Sequence, residues 1–83
     1  MRLLREYIIY RKILRNIPTN VLAENAPIIG YYSRSWTIDG LKIYSSYVRG
    51  SGYEVEIKTD KGKYFEFLGY RAKKIYQLGQ KSL

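Results

Sequence analysis

The side chains best suited to bind a charged ligand are lysines and arginines, and they are concentrated at the two ends of the chain. Residues 1–15 contain five basic residues and one acidic residue, whereas residues 69–83 contain four basic residues and no acidic one. Clustered positive charge is typical of surfaces that bind the phosphate groups of nucleic acids. The predicted phosphate-binding residues are Arg5, Arg11, Lys12, Arg15, Arg71, Lys73, Lys74 and Lys81.

The net charge of +8 could also have either of two simpler origins. The basic residues could form the ordinary solvated surface of a soluble protein. They could also reflect a composition of the thermophile kind, rich in Lys, Arg, Ile and Tyr and poor in Cys and Gln. The separation of the charge into two clusters favours phosphate binding, because a phosphate backbone is held by several cations that lie close together.

The chain lacks the residues on which most catalytic and metal sites depend. It contains neither Cys nor His, so a thiolate nucleophile, a disulfide and an imidazole base or metal ligand are all excluded. The Gly-x-Gly at residues 50–52 lies between two predicted strands, where no helix N-terminus could receive a pyrophosphate. We therefore predict that the protein is not an enzyme and has no cofactor, no metal site and no small-molecule substrate.

Residues 53–68 predict a β-hairpin, because apolar and polar side chains alternate along two runs. Asp60-Lys61-Gly62 would form the loop between them, with Gly62 in the left-handed conformation. The solvent side of this hairpin would show two glutamates in a facing pair, which repel each other unless a nearby Arg or Lys neutralises them. The expected facing pairs are Thr59 with Lys63, Ile57 with Phe65, Val55 with Phe67 and Glu56 with Glu66.

Residues 28–48 predict a second hairpin around the Asp39-Gly40 pair, which is favoured in two-residue type I′ turns. The expected facing pairs in this hairpin are Ile38 with Leu41, Trp36 with Ile43, Arg34 with Ser45 and Tyr32 with Tyr47.

Residues 16–27, which precede this hairpin, are predicted to be a connector with one short helical turn from Thr19 or Asn20 to Glu24.

Two amphipathic helices flank these hairpins. The first covers residues 3–16 and ends before Pro18; the second begins after Gly69 and is capped by Gly79. The first could lie on an anionic membrane surface, but a sheet that needs cover favours packing on the sheet. Its predicted inward residues are Leu3, Tyr7, Tyr10, Ile13, Leu14 and Ile17. Those of the second are Ala72, Ile75, Tyr76 and Leu78.

These elements predict a single α+β domain over residues 1–83: an antiparallel meander of three to four short strands with an N-terminal and a C-terminal helix packed on one face. No apolar run approaches the roughly 18 residues needed to span a membrane. Charges also interrupt the N-terminal stretch, which is therefore unlike a signal peptide. We expect a protein without a membrane span and with a cytoplasmic location.

The order of elements resembles that of double-stranded-RNA-binding domains, which have one strand fewer, and Lys73-Lys74 stands near the start of the last helix. The sequence departs from that family in having Arg-Ala-Lys-Lys at 71–74 and no loop His. The three strands followed by a helix also resemble the arm-binding domains of some integrases, which read DNA with the open sheet face. The three glutamates on that face, Glu54, Glu56 and Glu66, would oppose this use here.

The predicted function is sequence-nonspecific binding of a phosphate backbone, with RNA or a ribonucleoprotein particle as partner. DNA is less favoured, because no helix shows a row of base-reading side chains. The alternative is a protein–protein interaction module, for example a subunit or an inhibitor of a nucleoprotein machine. Such a module could be encoded by a virus or by its host. Tyr and Arg enrichment suits such an interface equally well. The residues predicted for this alternative are Ile8, Tyr44, Glu56, Tyr64 and Glu66.

Overall fold

One antiparallel sheet forms the middle of the molecule, and its five strands neighbour one another in chain order. The computed structural model describes residues 2–83, with side chains from Leu4 onward. Helix α1 (Arg2–Arg15) precedes the sheet and helix α2 (Gly69–Lys81) follows it. The α+β fold is confirmed, with one strand more than the three to four expected. The strands are β1 (Leu22–Ala26), β2 (Tyr31–Ile38), β3 (Leu41–Val48), β4 (Gly52–Thr59) and β5 (Tyr64–Leu68).

Both hairpins have the predicted register. Trp36 lies opposite Ile43 between β2 and β3, and Val55 lies opposite Phe67 between β4 and β5. In the β4–β5 loop, Gly62 has a φ of 82°, as the three-residue connection requires. Because side chains alternate between the two faces of a strand, the apolar residues of all four strands collect on one face of the sheet.

The β2–β3 turn differs from the predicted type I′ geometry. That turn needs positive φ at both central residues, but of the two only Gly40 has one, 74°. The carbonyl of Gly40 accepts a hydrogen bond from the Asp60 amide at 2.9 Å, and the carbonyl of Asp39 accepts one from the Lys12 ammonium at 3.1 Å. The two-residue length is confirmed, because Ile38 pairs with Leu41, and the type I′ assignment is wrong, because Asp39 does not have a positive φ.

The segment predicted to contain a helical turn forms strand β1 instead. It pairs antiparallel with β2, with Glu24 opposite Ser33, so the predicted turn through Glu24 is wrong. Asn20, with a φ of 53°, lies in the left-handed region just before this strand. Ala, Glu and Asn have low β propensity, so pairing with the edge of β2, rather than local preference, stabilises the strand.

The hydrophobic core lies between the helices and the apolar face of the sheet. The ring of Tyr10 in α1 packs edge-on against Phe67 of β5, with the centroids 5.8 Å apart. The inward face of α1 is narrower than predicted, because Tyr7 and Ile17 are exposed, and the side chain of Leu3 lies outside the described residues. The buried core residues are Tyr10, Ile13, Trp36, Leu41, Ile43, Val55, Ile57, Phe67, Ala72 and Ile75.

Helix α2 packs closely on the sheet at Gly79, which is buried. A Cβ atom built on Gly79 would overlap Cζ3 of Trp36. The prediction that Gly79 caps the helix is therefore wrong: the helix continues to Lys81 and its C-cap is Ser82. A glycine is needed here because the Trp36 ring occupies the space that any other side chain would fill.

We expect Gly79→Ala to lower the free energy of unfolding by about 1–3 kcal/mol, the usual cost of overpacking a core. Alanine ordinarily stabilises a helix interior by about 1 kcal/mol relative to glycine, so the sign of the change reports the contact with Trp36. Urea denaturation measures it. Gln77→Ala, at an exposed position of the same helix, is the control and should shift stability by less than about 0.5 kcal/mol. A Gly79→Ala protein at least as stable as the wild type would contradict the close approach.

Candidate nucleic-acid interface

The two helices carry the whole net charge of the protein. Together α1 and α2 contain nine basic residues and one acidic residue, whereas the rest of the chain contains six of each. Both helices contribute to the core on the same face of the sheet. Their outward sides therefore form a single charged surface, which we call the basic helical layer.

In α1, the predicted phosphate-binding residues have two different roles. Arg5, Arg11 and Arg15 are exposed, as a phosphate contact requires. Lys12 is only partly exposed, and its ammonium lies 3.3 Å from the Asp39 carboxylate. Since Lys12 also donates to the Asp39 carbonyl, it ties α1 to the β2–β3 turn and is less available to a ligand than its neighbours.

Arg71 joins the two helices. Its guanidinium carbon lies 5.1 Å from the ring centroid of Tyr10 and 5.9 Å from that of Tyr7, both in α1. Cation–π contacts of this length are attractive, so the first turn of α2 is held beside α1. The two basic clusters at the ends of the sequence therefore meet in space.

The lysines of α2 are exposed along its outward side. Lys73 and Lys74 lie in the second turn, and the Lys74 ammonium is 5.8 Å from the ring centroid of Tyr70. Lys81 is also exposed, but it follows Lys73 by eight residues, about 12 Å along the axis at the rise of an α-helix. The basic helical layer therefore extends from the junction with α1 to the far end of α2.

The residues predicted for protein binding are divided between two surfaces. Tyr44, Glu56, Tyr64 and Glu66 all lie on the face of the sheet opposite the helices, which we call the open face. Ile8 is exposed on α1 and therefore belongs to the helical side. The structure does not bring Ile8 together with the other four residues.

A groove of about 740 Å³ runs across the open face. Leu22 and Asn20 border it on the β1 side, and Tyr64 borders it on the β5 side. The Tyr64 hydroxyl donates a hydrogen bond to Glu56 at 2.7 Å. Glu56 is thus stabilised by a hydrogen bond from a tyrosine, which the sequence analysis did not predict. This hydrogen bond raises the pKa of Tyr64 to about 12, with burial and the charges of nearby glutamates acting in the same direction.

A second concave site lies on the helix-covered face, and the sequence alone did not reveal it. We call it the arginine cleft; its volume is about 460 Å³. Arg34 lines it and is only 5% exposed. The alternation of residues 34, 36 and 38 was a signal for this site, because it placed Arg34 on the same face as Trp36 and Ile38. The lining residues are Asn25, Tyr32, Arg34, Tyr47, Tyr53, Tyr76, Gln77 and Gln80.

Four tyrosine rings form a continuous chain along this cleft. The centroid distances are 6.4 Å from Tyr32 to Tyr47, 4.8 Å from Tyr47 to Tyr53, and 5.4 Å from Tyr53 to Tyr76. Arg34 lies 5.7 Å from the Tyr76 ring centroid. Burial raises the pKa of the Tyr76 hydroxyl, while the positive charge of Arg34 opposes that rise. The cleft therefore combines a cation with neutral aromatic faces.

Neither a cluster of metal ligands nor a membrane-spanning helix occurs in the part of the chain that the structure describes. Residues 2–83 contain no group of three or more acidic side chains that could hold a metal ion. None of the helices described here is long and apolar enough to cross a bilayer. The charged and concave features of the described residues include the basic helical layer, the open-face groove and the arginine cleft.

Comparisons with protein-family models, with curated proteins and with solved structures found no match to this chain. The five-stranded sheet also has two strands more than the double-stranded-RNA-binding layout that the order of elements resembles. Function must therefore be argued from the charges, contacts and cavities themselves.

The tyrosine titration tests the hydrogen bond on the open face. Because the folded protein holds the pKa of Tyr64 near 12 against an ordinary value of 10, this bond stabilises the fold below pH 10 and its contribution is lost as the pH rises towards 12. We expect the tyrosinate absorbance of the wild type to include one ionisation near pH 12, which belongs to Tyr64. Glu56→Gln should lower the pKa of Tyr64, because the carboxylate that accepts its hydrogen bond is replaced by a neutral amide.

Glu66→Gln is the matched control, because it removes a neighbouring charge and leaves the hydrogen bond in place. It should lower the pKa of Tyr64 less than Glu56→Gln does. Equal effects of the two substitutions would show that charge, and not the hydrogen bond, shifts Tyr64.

Proposed function

We propose that this protein binds nucleic acid through its phosphate backbone, without sequence specificity, by means of the basic helical layer. The observation that carries the proposal is the location of the entire net charge on two helices that share one face of the sheet. Cations that converge on one surface raise the local potential and release condensed counterions when they bind phosphates.

The contacts within the layer divide its cations into two groups. Lys12 and Arg71 are engaged with Asp39 and with aromatic rings of α1, and they set the relative positions of α1, α2 and the sheet. The other basic side chains of the layer that the structure describes are exposed and supply the phosphate contacts. They are Arg5, Arg11, Arg15, Lys73, Lys74 and Lys81.

The proposed partner is RNA or a ribonucleoprotein particle, with DNA second. Neither helix presents a row of Asn, Gln and Arg side chains suited to reading base edges in a major groove. Gln77 and Gln80 of α2 line the arginine cleft instead. A cytoplasmic location is part of the proposal, since a chain without Cys fits a reducing compartment.

The salt dependence of binding tests the electrostatic basis of the proposal. Each phosphate contacted on a single strand contributes about −0.7 to the slope of log K against log salt, so five contacts would give a slope of about −3.5. Fluorescence anisotropy with a labelled single-stranded RNA, measured from low to physiological salt, gives this slope. An affinity that does not change with salt would remove the basis of the proposal.

Charge reversal locates the binding surface. We expect the double variant Arg11→Glu/Arg15→Glu to bind RNA at least about tenfold more weakly at physiological salt, because two phosphate contacts become repulsive. Lys42→Glu/Lys58→Glu makes the same change in net charge on the open face and is the control. At a Debye length of about 8 Å the control should have little effect. Equal losses in both variants would mean that net charge alone, not this surface, determines binding.

A protein–protein interaction module is the second candidate, and the open-face groove favours it. The groove is lined by Tyr44 and Tyr64, which are 40% and 56% exposed, and by Glu56 between them. Exposed aromatic side chains around a concave site are typical of binding hot spots. Under this candidate the nucleic acid would be bound by a partner protein rather than by the basic helical layer.

A pull-down with and without nuclease separates the two candidates. If a partner protein survives nuclease treatment, is lost with Tyr64→Ala and is kept with Arg11→Glu/Arg15→Glu, the interaction module is supported. Loss of all bound material after nuclease treatment, with the opposite dependence on the variants, supports direct nucleic-acid binding.

A further inference from the structure

The buried guanidinium of Arg34 is held by neutral groups alone. Its Nε donates to Gln80 Oε1 at 2.9 Å, and its Nη1 donates to Asn25 Oδ1 at 2.8 Å and to the Ser33 carbonyl at 2.7 Å. None of the residues that line the arginine cleft is acidic. An arginine stays charged at every physiological pH, and buried charges in proteins are normally paired with an opposite charge.

One end of the guanidinium remains available to a ligand. The hydrogen bonds above use Nε and both hydrogens of Nη1, whereas Nη2 makes no hydrogen bond within residues 2–83. Nη2 is not fully buried and keeps some contact with solvent, and Arg34 lines the cleft. The two N–H donors of Nη2 therefore have no acceptor within the described residues, which suits the binding of an anion's oxygen atoms.

The cleft adds aromatic surface to this cation. The rings of Tyr32, Tyr47, Tyr53 and Tyr76 are half-buried and form the continuous chain described above. Nucleobases stack on such rings without sequence preference, because every base has a π face. A volume of about 460 Å³ lies in the range of about 300–1,000 Å³ typical of ligand sites.

The cleft is continuous with the basic helical layer. Lys73, Gln77 and Lys81 follow one another at intervals of four residues on α2, so they lie in one row on its surface. Gln77 in the middle of this row lines the cleft, and both lysines are exposed. A polynucleotide held on the layer would pass the mouth of the cleft.

We propose that the arginine cleft binds one phosphate-bearing nucleotide, with the phosphate on Nη2 of Arg34 and the base against the tyrosine rings. This inference rests on the proposed function and adds a subsite to it. The pairing of a cation with four aromatic rings favours a nucleotide over a simple carboxylate, which would use the arginine and leave the rings without a partner.

The first test compares small probes by two-dimensional NMR of the labelled protein. Adenosine monophosphate should shift the signals of residues 32, 34, 47, 53 and 76 at lower concentration than adenosine or inorganic phosphate does, because only the nucleotide uses both the arginine and the rings. N-Acetylglycine stands for the carboxylate of a peptide. If it, or phosphate alone, binds as well as the nucleotide, the assignment to nucleotides is overturned.

The second test places a carboxylate inside the cleft. Gln80→Glu puts an anion where an amide oxygen now accepts from Arg34 Nε, so the fold should be at least as stable as the wild type. The nucleotide should bind about tenfold or more weakly, because the arginine is then neutralised. Thr37→Glu, which makes the same charge change on the open face, is the control. Equal nucleotide affinity in these two variants would overturn the inference. The test leaves Arg34 itself unchanged, so it does not depend on whether the fold tolerates the loss of this buried side chain.

The same proteins separate this inference from the proposed function. The first possible result is that the wild type binds RNA, that Gln80→Glu and Thr37→Glu bind RNA equally well, and that adenosine monophosphate does not shift the cleft signals of the wild type. The cleft inference then fails and the proposed function stands. If adenosine monophosphate binds in the cleft but RNA does not bind to the wild type, the cleft takes a free nucleotide and the proposed function fails. Binding of both, each weakened by Gln80→Glu, supports both.

Discussion

The burial of one apolar face of the sheet beneath two helices is the interaction on which the rest of the structure depends. Ile13 and Ile75 come from the helices, and Ile43, Val55 and Ile57 come from the strands. None of these five residues is more than 1% exposed. Fully burying an aliphatic side chain of this size stabilises the fold by about 1.5–3 kcal/mol. A chain of 83 residues has room for only one modest hydrophobic core, so the fold depends on this one packed interface between the helices and the sheet.

This packing also produces the distribution of charge. A helix whose apolar stripe is buried must turn its polar side to solvent, and in both helices that side is basic. Because both stripes pack on the same face of the sheet, the cations of α1 and α2 join in one layer, while the sheet and turns remain neutral overall. Lys12 and Arg71 strengthen the arrangement, since they connect α1 to the β2–β3 turn and to α2.

The same geometry explains where the arginine cleft lies. Lys12 fixes α1 at the β2–β3 turn, whereas Tyr32 and Tyr47 lie at the opposite end of those two strands. There the tyrosines and α2, rather than α1, cover the face of the sheet. Arg34 is therefore buried by aromatic rings and amide groups instead of aliphatic side chains, and its Nη2 stays in contact with solvent.

The sequence by itself determined the two hairpins, their register, the flanking helices and the separation of charge towards the chain ends. These features follow from alternation, turn residues and helical periodicity, which are local: Trp36 is seven residues from Ile43, and Val55 is twelve from Phe67. Local patterns act through neighbours along the chain, so they can be read without knowing the fold.

Only the tertiary structure decided the existence of β1, the role of Gly79 and the surroundings of Arg34. The strand exists because β2 offers an edge, and Gly79 is required because Trp36, 43 residues earlier, occupies its side-chain space. Arg34 donates hydrogen bonds to Asn25, nine residues earlier, and to Gln80, 46 residues later. Such groups meet only after the chain has folded, and their contacts depend on the distance and orientation of whole elements, which periodicity does not encode.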